Sequence, residues 1–167
     1  VADIIGLIYE DHDWLRRRFF LLDDASSDEE LEAIWSVLAI RLDTHADAEE
    51  TVFYPELLDK GHHGDPEDET EDAIDDHNKI RDAVRDAAGH AVGTKPWWEA
   101  VGRARTENGK HLDEEEREAM PDFVKSASPD LRHELALRWL RFYADHPNGR
   151  GIDGSNKDAG EYIEQHT

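Results

Sequence analysis

The sequence predicts an all-α protein, an up-down-up-down four-helix bundle with an additional C-terminal helix and an irregular tail. Apolar residues recur at steps of three and four along most of the 167 positions, the spacing of helices that bury one face. Alternating β-branched runs, the mark of strands, are scarce. The chain also contains two related copies of a helix pair: DHDWLR at 11–16 matches DHNKIR at 76–81, and HADAEETVFYP at 45–55 matches HLDEEEREAMP at 111–121. Two hairpins of one design pack as a bundle with an approximate twofold axis.

In the first helix Ile4, Ile8, Leu15, Phe19 and Leu22 form the inner stripe, and His12 fills the place missing from it. Ser27-Asp28-Glu29-Glu30 has the form of a capping box that opens the second helix. Its stripe runs Leu31, Ile34, Leu38, Leu42, His45, Glu49, Val52, and Pro55 should kink or bulge its end. Gly61, Gly64 and Pro66 break the pattern, and the acids between Asp65 and Asp76 suit the start of a third helix, with Ile74, His77, Ile80, Val84 and Ala88 inward. A turn at 89–96 leads to a fourth helix facing inward with Trp97, Val101, Ala104, Asn108, His111 and Glu115. Ser128-Pro129 starts a fifth, with Leu131, Leu135, Trp139 and Phe142 on its apolar face. Beyond Pro147 the chain reads as an irregular tail with a short final turn near Tyr162. This divides the chain into a bundle at 1–126 and a helix and tail at 127–167 packed against it.

With 41 acidic and 19 basic residues the chain carries a formal charge of −22, which repels nucleic acid and anionic lipid. It has no cysteine, so any metal must be held by nitrogen and oxygen. No secretory segment or membrane span is visible, and a soluble, cytoplasmic protein is expected.

Residues four apart share one face of a helix, so His45 with Glu49, and His111 with Glu115, can reach a common centre together with His12 and His77. Glu50 and Glu116 are rotated about 100° away and should face solvent or support the ligands from behind. Four imidazoles and two carboxylates inside an apolar bundle cost too much without compensating charge, which metal ions supply. Six protein donors exceed one tetrahedral zinc. Two bridging carboxylates instead give each of two ions two histidines and two oxygens, a donor set that suits iron first and manganese next.

On these residues, His12, His45 with Glu49 followed by Tyr54-Pro55, His77, and His111 with Glu115, the stretch from about 3 to 125 resembles the hemerythrin-like, HHE cation-binding proteins. The resemblance implies a non-haem di-iron site between four helices, bridged by carboxylates and by an oxo or hydroxo group. Oxygen-carrying hemerythrins add a fifth histidine one turn from the lone histidine of the third helix; here those places hold Ala73 and Arg81, which argues against reversible oxygen carriage.

Tyr54 stands five residues after Glu49, off the ligand stripe of an ideal helix, but a bulge before Pro55 would swing its phenol toward the vacant position. Its twofold mate is Met120, a poor ligand for ferric iron, so the two metals should be unequal. Phenolate and carboxylate donors favour the ferric state. The expected function is therefore catalase-like decomposition of hydrogen peroxide, as part of oxidative defence, with Tyr54 at the open site. The alternatives are a protein that binds or senses dioxygen or nitric oxide, and an iron-responsive regulator whose metal occupancy controls folding and partner binding.

Overall fold

A computed structural model describes residues 1–167, and the chain is helical with no strand. Eight α-helices follow in order: α1 Ile4–Asp23, α2 Asp28–Ala48, α3 Tyr54–Lys60, α4 Pro66–Ala88, α5 Lys95–Arg117, α6 Ala119–Ser126, α7 Pro129–Asp145 and α8 Ala159–His166. A π-helical segment, Glu49–Phe53, joins α2 to α3.

The helix starts follow local chemistry. Asp3, Ser27, Asp65 and Ser128 each accept a hydrogen bond from a backbone amide in the first turn of α1, α2, α4 and α7, satisfying donors that a helix leaves free. The capping box of α2 is modified: Ser27 accepts from the Glu30 amide, but the Glu30 carboxylate takes the amide and hydroxyl of Ser26 rather than closing back on Ser27.

Two proline breaks divide helices that the periodicity alone runs together. A proline ring has no amide hydrogen and crowds the carbonyl four residues before it. Pro55 follows the π segment, and Pro121 follows Glu118, whose φ of −120° and ψ of −73° separate α5 from α6.

The four long helices build two apolar clusters. One contains Leu15, Leu38, Ile80 and Trp97; the other contains Ile8, Phe53, Ile74 and Phe123 together with Leu135 and Trp139 of α7. Along each long helix or its continuation the histidine falls between the two. Ile8, His12 and Leu15 follow in that order on α1, and Leu42, His45 and Ala48 on α2; Ile74, His77 and Ile80 repeat the first order on α4, and Ala104 and His111 of α5 with Ala119 of α6 the second. A polar layer thus crosses the bundle with apolar packing above and below it.

The last segment is longer and better held than a loose tail with one turn. Asn148, Gly149 and Gly151 take positive φ of 55°, 73° and 79°, a region open to Gly and tolerated by Asn, and turn the chain back. A Cβ at Gly149 would meet Ile40 at 2.9 Å and Thr44 at 3.1 Å. The returning segment is irregular through residue 158 but bonded to the bundle: the Asp153 amide donates to Asp47 (2.9 Å), and Asn78 exchanges two bonds with the Lys157 backbone, at 2.7 and 3.0 Å. It ends in α8, whose Tyr162 is buried.

Leu38 is fully buried where α2 faces the bundle. Leu38→Ala should therefore lower unfolding free energy by about 2–5 kcal/mol, read from the urea midpoint at unchanged slope.

Candidate metal centre

The wide π turn decides what the end of α2 presents. The Tyr54 amide bonds to the carbonyl of Glu49, five residues back, so this turn holds one residue more than an α turn. Glu49 and Glu50 are both buried as a result, and Tyr54 is rotated inward to 1% exposure, donating its hydroxyl hydrogen to Glu115 Oε2. The expected bulge is present, and it acts from Glu49 to Phe53, ahead of the proline.

His12, His45, Glu49, His77, His111, Glu115 and Tyr54 are all buried. Glu49 Oε1 lies 3.0 Å from His45 Nε2, 3.2 Å from His77 Nε2 and 3.3 Å from His111 Nε2. His12 Nε2 lies 3.1 Å from Glu115 Oε1, and the Nε2 atoms of His77 and His111 are 3.1 Å apart. Two groups of donors share Glu49: His12, His45, Glu49 and Glu115 form one, and Glu49, His77 and His111 the other.

Several of these atoms approach without pairing. His12 Nε2, His45 Nε2, Glu49 Oε2 and Glu115 Oε1 are buried and have no hydrogen-bond partner, although carboxylate and imidazole stand within 3.1 Å. They converge on common points between the helices instead of lining up with each other. Orphaned buried donors and acceptors are costly, and nitrogen and oxygen lone pairs aimed at a shared point are what a bound cation requires. The residues present therefore fit a metal.

Behind each imidazole stands a carboxylate. His45 Nδ1 donates to Asp11 (2.9 Å), His77 Nδ1 to Glu50 (2.6 Å) and His12 Nδ1 to Glu116 (3.1 Å). The fourth pairing is looser, with His111 Nδ1 3.8 Å from Asp76. An Nδ1 hydrogen given to a carboxylate leaves Nε2 free to face the centre and more basic. Arginines hold the outer glutamates in turn: Arg16 bonds Glu116 at 2.5 Å and Arg81 bonds Glu50 at 2.7 Å. The arrangement follows the internal repeat, Asp11 and Asp76, His12 and His77, Arg16 and Arg81 standing in matching places.

The electrostatics follow from that packing. Burial opposes charge on His45 and His111, but Glu49 and Asp11 around the first, and Glu115 and Glu49 around the second, outweigh it and lift them to about 10 and about 9. His12 is raised too, burial again being overcome by Glu115 and Glu116. Burial likewise resists ionisation of Asp11 and Glu50, yet His45 with Arg41, and His77 with Arg81, bring each down to about 2. Burial, with the Glu115 and Glu49 carboxylates, holds the Tyr54 phenol well above its ordinary value.

All seven residues singled out in the sequence meet at this layer. Glu50 does not face solvent: it is 4% exposed and supports His77 from behind, and Glu116 does the same for His12. Arg81, read in the sequence only as a place where a histidine is lacking, is a buried partner of Glu50. Asp11 and Asp76 were not singled out, although the shared D, H and R of the two copies carried the signal. Tyr143, which donates to Asp11 at 2.6 Å, and Lys157, at 2.8 Å from Glu50, had none. Asn108 is buried one turn before His111 but makes no hydrogen bond to any of these side chains.

A helical bundle with a buried histidine and carboxylate layer defines a metal-binding protein of the hemerythrin-like type. The chain belongs to the hemerythrin HHE cation-binding domain family, whose model matches residues 3–123. No curated protein and no solved structure matches it. No helix is long and apolar enough to cross a membrane.

Without metal, the raised histidines stabilise the fold fully below their unfolded value near 6.5 and lose that contribution as pH rises through 9 to 10. The depressed Asp11 and Glu50 contribute above about pH 4 and lose their contribution as pH falls toward 2. The apo chain should thus melt highest between about pH 4.5 and 6.5 and fall steadily toward pH 10 in a thermal scan, whereas metal binding should strengthen with pH as protons leave the ligands. Asp11→Asn should weaken metal binding about 10–100-fold in a competition titration against a chelator.

Proposed function

We propose that the site holds two iron ions, with manganese as the lesser fit, and that the loaded protein decomposes hydrogen peroxide. Glu49 supports the two-ion count because its Oε1 lies within 3.3 Å of imidazoles from both donor groups. The reversed order of the apolar clusters from one long helix to the next supports up-down-up-down connectivity, as do the short links after α1 and α4.

The observation that carries the functional reading is a narrow cleft beside the layer. Tyr54, Ala73, His111 and Glu115 line it together with acidic residues of α4 and α5, and the whole cleft has a free volume of about 10 Å³ for water-sized particles, that of about one water. It ends where oxygen-carrying relatives place a further histidine and this chain has Ala73. So narrow a passage favours a reactant of one or two heavy atoms over an organic substrate.

A bound iron pair would take up and return two electrons, one per ion. One peroxide gives up two electrons and two protons and leaves as dioxygen; a second takes both, its O–O bond breaks, and two waters form. The chain contributes burial that keeps bulk water out, carboxylates that fix the imidazoles, and a proton held between Tyr54 Oη and Glu115 Oε2 at the inner end of the cleft. Glu115 would hold a cation through Oε1, and Tyr54, bonded to its Oε2, would stand beside the centre as a further oxygen donor. Phenolate and carboxylate donors favour the ferric state, which supports turnover of peroxide over reversible gas carriage.

The cleft also suits dioxygen or nitric oxide; a spectral change reversed by removing the gas from the reduced protein would favour that reading. Iron-loaded protein should release oxygen from peroxide over many turnovers per iron, and His111→Ala should lose this activity, measured with an oxygen electrode. Release no faster than from free iron would overturn the enzymatic reading. Tyr54→Phe should abolish the tyrosinate-to-iron absorption band; an unchanged spectrum would remove Tyr54 from the ligand set.

A further inference from the structure

We infer that the segment beyond the family-matched residues completes the metal site, and that Lys157 makes its two halves electrically unequal by raising the reduction potential of the His77–His111 half. The inference rests on the two-iron reading above.

The internal repeat lays out two equivalent relays, Arg16 to Glu116 to His12 and Arg81 to Glu50 to His77. Lys157 breaks the equivalence. Its Nζ lies 2.8 Å from Glu50 Oε1, with the lysine side chain 18% and the glutamate side chain 3% exposed. Glu116 receives no lysine, and its Arg16 is shared with the exposed Asp113. The lysine is held in place: its amide donates to Asn78 Oδ1, its carbonyl accepts from Asn78 Nδ2, and the Tyr162 hydroxyl donates to the Glu50 carbonyl. Asn78 directly follows His77, so this anchor and the imidazole relay share one turn of α4.

A carboxylate that accepts an Nδ1 hydrogen pushes electron density through the imidazole. Glu50 faces two cations, the buried Arg81 and the largely covered Lys157, whose ammonium also reaches Asp153, whereas Glu116 has Arg16 alone. The second cation is also a positive charge in a site of low effective dielectric, where it is poorly screened. That added charge disfavours the more highly charged state of iron in this half. Lys157 thereby offsets part of the ferric preference that the Tyr54 phenol imposes.

The test is a spectroelectrochemical titration of the full, iron-loaded chain, after its iron has been counted. Two irons and two one-electron steps are expected in the wild type; fewer than two irons would overturn the two-iron reading and this inference with it. Lys157→Met should lower one of the two potentials by on the order of 59 mV, a tenfold change in the ratio of reduced to oxidised iron, and leave the other nearly unmoved. Lys157→Arg, which keeps the charge, should restore the wild-type value. Amide exchange at residues 153–162 reports whether the segment stays seated; if methionine releases it, Lys157→Gln keeps a hydrogen bond to Glu50 without the charge and takes its place. Potentials unmoved by loss of the charge, or moved as far by arginine as by methionine, would overturn the inference.

Discussion

The arrangement depends on one repeated interaction, the hydrogen bond from a histidine Nδ1 to a carboxylate on another helix. Asp11 reaches from α1 to His45 on α2, Glu50 from the π segment to His77 on α4, and Glu116 from α5 back to His12 on α1. Each bond fixes which nitrogen faces the centre, and each ties two helices together at the same level. The polar layer is therefore positioned by its own outer ring, with the two apolar clusters providing most of the cohesion. Buried carboxylates and imidazoles would otherwise favour their neutral forms; in alternation they hold one another charged.

This layer sets stability against function. In the metal-free chain, protonated histidines and ionised carboxylates compensate one another, and a cation must displace those protons to bind. The site is thus occupied by protons or by metal, and acidity decides the exchange. Arg16, Arg41, Arg81 and Lys157 all lie on the outer carboxylates, where they lower the cost of so much buried negative charge without competing for the centre.

Much of this was legible in the sequence because it is local and periodic. His12 was placed inward by the gap in the Ile4, Ile8, Leu15 stripe, and the two HxxxE pairs by the four-residue rule. Glu50 and Glu116 were harder: an ideal helix turns each about 100° off the stripe, which leaves solvent and support equally open until neighbouring helices are in place. The Tyr143, Lys157 and Tyr162 contacts lay beyond sequence reasoning, since they join residues far apart in the chain and follow no period. The break at Glu118 was missed for a different reason: Pro121 signals it in the same way that Pro55 signals the π turn, but the apolar stripe of α5 reads on past it.

The π turn between Glu49 and Phe53 also bears on how such a site could change over generations. Its extra residue is a matter of chain length, not of side-chain identity. Wound as an ordinary α-helix, the same five-residue spacing would turn the phenol about 100° away from Glu115, whereas loss of one codon between Glu49 and Tyr54 would leave the two residues four apart and on one face. The phenol's aim is therefore set by winding and chain length together, a dependence that comparison of residue types alone would overlook.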